Sequence, residues 1–279
     1  MHKIFLTIIS VVMLVSCGSG GNGNVGKTTQ GDTAEADTVE AFKSLPATND
    51  KVADLRYAEQ KTGECPEVTT AGMVNWAYSF VEKNEKGVKK MTAKIRASIS
   101  DKSLLALVDA EDACWEKLYK AESGYKSGIG SLRCATGCYG TIYEVQDASC
   151  AMYLPWIRLK CLEEDFAVFA EGKEEAPSRV KLEDQVEALK KKPYRVISSY
   201  KMDEESMSAS KEEYKKSQAD AKKGAAKLTK SLDAWLAARD AVEEALAPSL
   251  KDAYHRHTLR AVCSMIRDLD EYKYDENGF

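Results

Sequence analysis

The sequence predicts an all-α protein, built as antiparallel helical bundle units in two similar halves. Three observations point there. Charged residues make up 30% of the 279-residue chain, and 17 Gly and 6 Pro are too few for a turn-rich β-sandwich. Apolar residues recur at spacings of three and four along most of its length. Finally, Leu107 to Glu122 lies over Lys227 to Val242 at a constant offset of 120, which places Trp115 on Trp235. Chance similarity between amphipathic helices is the alternative to a true repeat.

The first residues read as an export signal. His2 and Lys3 precede Ile4 to Val15, an almost unbroken apolar run of twelve residues. A membrane span needs roughly 20 such residues, so the run suits the apolar part of a signal peptide, residues 1–16. Leu14-Val15-Ser16-Cys17 resembles the lipobox of bacterial lipoproteins. That resemblance implies cleavage before Cys17, lipid on its thiol and new amino group, and a place in the cell envelope facing the periplasm or exterior. More than one acyl chain is needed for stable anchoring. An ordinary secretory signal with a chance cysteine is the alternative.

Residues 17–50 are rich in Gly, Asn, Thr, Asp and Ala and read as a flexible tether, spanning about 30–35 Å as a random coil. A first helical domain is expected over 51–171. Thr69 or Thr70 caps a helix carrying Met73, Trp76, Ala77, Phe80, Val81 and Val88 on one face. The stripe continues through Met91, Ile95 and Ile99 and breaks at Ser100-Asp101, a second cap. Leu104, Leu105, Val108, Trp115, Leu118 and Tyr119 follow on the next helix. Ser123 to Tyr143 holds five glycines with Cys134 and Cys138, and reads as a disulfide-pinned irregular loop. A helix from about Asp147 to Ala170 is interrupted near Pro155.

A connector, 172–193, contains Pro177 and Pro193 and a short helix from Val180 to Lys190. The second helical unit is 194–279. Asp203 and Ser206 cap a long helix to Leu246 that buries Leu228, Leu232, Trp235 and Val242; Pro248 ends it, and a last helix runs from Tyr254 to Tyr272.

Cys17 aside, seven of the eight cysteines remain. Export makes disulfides the default for Cys65, Cys114, Cys134, Cys138, Cys150 and Cys161, in any of 15 pairings. A zinc site on Cys134 and Cys138 has the rival spacing but lacks a second ligand pair. Cys263 stands apart, as a buried thiol. No metal or other cofactor is expected.

Without the signal the chain keeps 39 basic and 44 acidic residues, a formal charge of −5, which disfavours nucleic acid. The catalytic inventory is thin, and no catalytic residue is nominated. His255 and His257, two apart on a helix, point about 200° away from each other and read as solvated beside Arg256. There is no zinc-protease, nucleophile-elbow or phosphate-loop motif. A carboxylate pair for glycoside hydrolysis stays possible among 44 acids, but nothing singles two of them out.

Leu232-Asp233-Ala234-Trp235-Leu236-Ala237-Ala238-Arg239-Asp240-Ala241 resembles the lysozyme-inhibitor (LprI-type) lipoprotein family. Those domains carry a leucine-rich helix with a Trp followed by Arg-Asp-Ala, and a closing helix with Cys and Arg, loosely matched by Cys263 and Arg267. The likeness covers about 70 residues of the second half and, more faintly, Met73 to Phe169. It departs where the family's next cysteine stands: Glu243 is there, with Ser123 at the equivalent place in the first half, and Tyr119 replaces the arginine in that half. The family's framework disulfide therefore cannot form as such.

Trp115, Trp235, Arg239 and Asp240 make the motif core, with Trp235 and Arg239 one turn apart on one face. Tryptophan fills the space between helices, and the arginine stem packs over it while its head reaches a carboxylate or water. The resemblance implies a non-enzymatic protein-binding module with a lysozyme as partner; an envelope scaffold binding a protein of the same cell is the alternative. Tyr125, Ile129, Leu132 and Tyr139 of the expected loop are the candidate contacts, since binding residues concentrate on loops fixed to a rigid frame.

Overall fold

Thr69 supplies the first helix with its missing acceptor: its side chain takes the Gly72 N–H at 3.1 Å, and α1 runs Thr70–Ser98. The computed structural model describes residues 45–137, 140–201 and 210–270. Asp101 then caps α2, Lys102–Ala135, by accepting from the Ser103 and Leu104 amides. α3 (Thr141–Ala151) and α4 (Tyr153–Glu171) follow, with Pro155 in the first turn of α4, where its missing N–H costs nothing. α5 is Leu182–Ser199. A capping box of Ser210 and Glu213 starts α6, Lys211–Ala245, and α7 is Pro248–Asp270. Among the described residues there are no β-strands, only one isolated bridge between Thr48 and Ser178. The fold is all-α.

The two expected halves do not sit as separate bundles. The largest interface is between α2 and α6, across the expected boundary, and α4 packs on both α1 and α7. α2 and α6 run antiparallel: Trp115 meets Trp235, Tyr125 meets Gly224, and Gly128 meets Ala221. Small residues permit that closeness. A Cβ on Gly224 would lie 3.0 Å from the Tyr125 Cα, and one on Gly128 3.1 Å from the Ala221 Cα. The two tryptophans pack edge to face with centroids 5.3 Å apart. Each is thus buried by the other half, and one hydrophobic cluster draws on α2, α4, α5, α6 and α7 together. The described residues fall within a single contact unit, 42–279.

Several expectations about local structure give way. Ser123 to Ala135 is helix, the last three turns of α2, and Tyr125, Ile129 and Leu132 are fully buried there rather than presented on a loop. Among the described residues of this stretch, Thr136 and Gly137 follow the helix as a turn, Gly137 taking φ 80°, and Thr141 already opens α3. α5 runs through Pro193 instead of stopping before it. The Pro193 carbonyl accepts the Tyr125 hydroxyl at 3.2 Å, tying that turn to α2. The end of the tether is fastened as well: the Thr48 amide donates to the Pro177 carbonyl at 2.8 Å and Asp50 pairs with Arg256 at 2.8 Å.

No disulfide joins any two described cysteines, and of the two expected to pin the loop Cys138 lies outside the described residues. Cys65 and Cys114 are half-buried thiols, and Cys161 and Cys263 are fully buried ones. Cys134 ends α2 on the surface and Cys150 is buried on α3. Cys150, Cys161 and Cys263, buried on α3, α4 and α7, act as small apolar fillers of the core. Cys17, Cys138 and Tyr139, with the signal, most of the tether and the Asp203 and Ser206 cap, lie outside the described residues.

Candidate interaction surface

The motif residues build a buried charge layer. Glu111 on α2 accepts the Trp235 indole N–H at 2.5 Å and both terminal nitrogens of Arg158 at 2.6 and 2.7 Å. Arg158 also lies over the Trp115 ring, 5.0 Å from its centroid, and bonds Asp112 at 3.1 Å. One turn beyond Trp235, Arg239 clamps Asp165 with two bonds, 2.5 and 3.2 Å, and donates through Nε to Thr258 at 2.8 Å. Its guanidinium sits 3.7 Å from the Tyr254 ring centroid. Both arginines are 1% exposed. Burial alone would raise the Asp165 carboxyl, but Arg239 and His257 outweigh it and hold it at about 2.

This layer is internal framework. Trp115 and Trp235 are 4% and 0% exposed, so neither reaches a ligand. Asp240, on the outer face of α6, is exposed beside Glu243 and Glu244. Two histidines expected in solvent part company. His257 is buried, with Nδ1 3.0 Å from Asp165 and Nε2 3.8 Å from Glu175, while His255 stays at the surface against Glu243 at 3.2 Å. Burial lowers the His257 pKa, yet its two carboxylate partners win and raise it. Carboxylates from α4 and the segment after it reach His257 through the fold, which its charged neighbours Arg256 and Arg260 concealed. No group of three or more His, Cys, Asp or Glu side chains among the described residues is arranged to hold a metal.

Sequence reading missed Glu111, Arg158 and Asp165. A signal was present: Arg158 and Asp165 fall on the stripe of Cys161 and Leu162, at steps of three, four and seven, where an apolar face should be unbroken.

What remains open is the front of α1. Met73, Trp76 and Phe80 share one stripe with the buried Ala77 and Asn84. Later turns of that stripe are covered by α4, but these three are only half-buried and belong to neither hydrophobic cluster. Trp76 and Phe80 pack edge to face, centroids 5.1 Å apart, as a preformed aromatic step. Val68, just before the cap, occupies the position that would staple onto Met73, yet it is 90% exposed. The result is an apolar ridge on a rigid 29-residue helix.

Comparison with known proteins returns no match. Neither a family model, nor a curated protein, nor a solved structure matches the chain. No helix among the described residues is long and apolar enough to cross a membrane.

Proposed function

We propose that this chain is a bacterial lipoprotein, anchored through Cys17 and working as a non-enzymatic protein-binding module in the cell envelope, with a cell-wall lysozyme as its partner. The ridge of Val68, Met73, Trp76 and Phe80 carries the reading. Trp, Phe and Met are the side chains enriched at interfaces, and a few such anchors carry most of the binding energy. They stand on a long helix already fixed by α3 and α4, so docking costs little ordering entropy. The acidic group of Asp240, Glu243 and Glu244 suits a cationic partner through long-range steering.

The alternative, an envelope scaffold for a protein of the same cell, gains support from the motif itself. Trp235 and Arg239 are buried, so the likeness to lysozyme inhibitors rests on framework residues rather than on an inhibitory face. Lysozyme turnover separates the two. The mature chain carrying Cys17→Ser should inhibit at micromolar concentration, and Trp76→Ala with Phe80→Ala should weaken inhibition at least tenfold. No inhibition by the parent discards lysozyme and leaves the scaffold reading.

A further inference from the structure

The cations of this net acidic chain are not spread evenly. Residues 188–201 hold five Lys and Arg and no carboxylate, and residues 214–232 hold six against Asp220 alone. The first stretch is the second half of α5 with its end, the other is the middle of α6, and the two helices pack together. The helix dipole does not account for the α5 cluster. Its pull falls off within the last turn, and α5 has no basic residue there.

Between these helices lies an open groove of about 630 Å³, inside the range of small-ligand sites, about 300–1,000 Å³. Lys190, Lys191, Tyr194, Arg195 and Ser198 of α5 line it, with Thr229 of α6. Cross-links hold the two helices together along it. Lys190 meets Asp233 at 2.6 Å, and past Ser198 the Tyr214 hydroxyl donates to the Tyr200 carbonyl at 2.9 Å. The walls are set before a ligand arrives, which lowers the ordering cost of binding.

The groups in the groove call for a particular partner. Arg195 is exposed and has no ion pair among the described residues. Lys191, one turn away, reaches Glu187 of its own helix at 3.6 Å, an exposed pair worth little. The Ser198 hydroxyl donates to the Tyr194 carbonyl at 2.8 Å and the Thr229 hydroxyl to the Ala225 carbonyl at 2.9 Å. Their hydrogens are committed, so their oxygens are left to accept. Tyr194, 41% exposed, adds a flat apolar ring. A ligand that answers all of these brings negative charge, several O–H donors and a C–H face. An acidic peptide has the charge without the hydroxyl-bearing ring. Phosphate sites draw on the backbone N–H groups of a helix N-terminus, which this end of α5 does not offer.

We propose that the α5–α6 groove binds a sugar chain bearing carboxylates. Arg195 takes one carboxylate through its forked guanidinium, Lys191 takes another, Tyr194 stacks on a sugar ring, and Ser198 and Thr229 accept from its hydroxyls. The groove stands on other helices than the α1 ridge and does not depend on the lysozyme reading.

Calorimetric titration of the mature chain carrying Cys17→Ser tests it, with tetragalacturonate as probe. Its carboxyl-reduced form, which has the rings without the charge, and tetraglutamate, which has the charge without the rings, are the controls. The probe should bind saturably, and each control at least tenfold more weakly. Arg195→Gln should weaken the probe at least tenfold and Tyr194→Ala several-fold, whereas Tyr194→Phe keeps the ring and should bind like the parent. Lys89→Gln, on α1, should leave binding unchanged, and circular dichroism checks that every variant stays helical. No saturable binding up to about 10 mM, equal binding of tetraglutamate, or unchanged binding in Arg195→Gln or Tyr194→Ala overturns the proposal.

Discussion

Trp235 joins α6 to Trp115 and Glu111 of α2, and removing it should cost more than removing Trp115. Trp235→Ala empties a fully buried site, a change that costs about 3–5 kcal/mol. It also takes a donor from Glu111. Arg158 keeps two bonds to that carboxylate, so the extra loss sits near the low end of an unmade buried bond, about 1 kcal/mol. The total is about 4–6 kcal/mol. For a folded body of this size each kcal/mol moves the melting point by about 2–4 °C, so the variant should melt roughly 10–20 °C lower. Trp235→Phe keeps the edge-to-face contact with Trp115 and loses the bond to Glu111; a drop of a few degrees should result. Trp115→Phe should cost less, since no bond from Trp115 to a carboxylate exists among the described residues. Thermal melts by far-ultraviolet circular dichroism read all three. A Trp235→Ala protein that melts within a degree or two of the parent would refute the shared core.

Other expectations follow from the charge layer and the anchor. Asp165→Asn strands Arg239 and His257 in the interior and should destabilise by about 3–5 kcal/mol, whereas Asp165→Leu combined with Arg239→Met should cost less than the two single changes added together; additive losses in urea unfolding would contradict the coupling. Glu122 contributes to stability fully below its ordinary pKa of 4.5 and loses that contribution as the pH rises through about 7, a difference of about 3 kcal/mol. The raised His257 acts in the same direction at higher pH, while Asp165 and Glu175, held at about 2, weaken the fold only in strong acid. Urea midpoints should therefore be higher near pH 5 than near pH 8, with Glu122→Gln flattening the slope; a higher midpoint on the alkaline side would overturn the assignment. Cys17→Ser should release the protein from the membrane fraction or stall its processing, and normal membrane retention of that variant would end the lipoprotein reading.

The helical class and the starts of α1 and α2 were legible because they rest on local chemistry. Thr69 and Asp101 cap where a threonine and an aspartate before an apolar stripe should. Ser123 to Ala135 was misread for an equally local reason: its glycines suggested a loop, although Tyr125, Ile129 and Leu132 continue the stripe of Leu118. Gly128 among them marks where α2 and α6 come close, which only the partner helix can reveal. Pro193 looked like a stop because the carbonyl that ties its turn to α2 bonds a tyrosine 68 positions away. His257 looked solvated because its acidic partner Asp165 is 92 positions distant. The ridge on α1 was legible as a stripe, but not as an uncovered one, because coverage depends on where α4 begins.

Hydrogen exchange followed with and without lysozyme tests the central claim most directly, because it reports both whether the proteins associate and where. Amides from Val68 to Phe80 should gain protection in the presence of lysozyme, while those of α6 around Trp235 stay as they are. Unchanged exchange along α1, or protection confined to another face, would contradict the account.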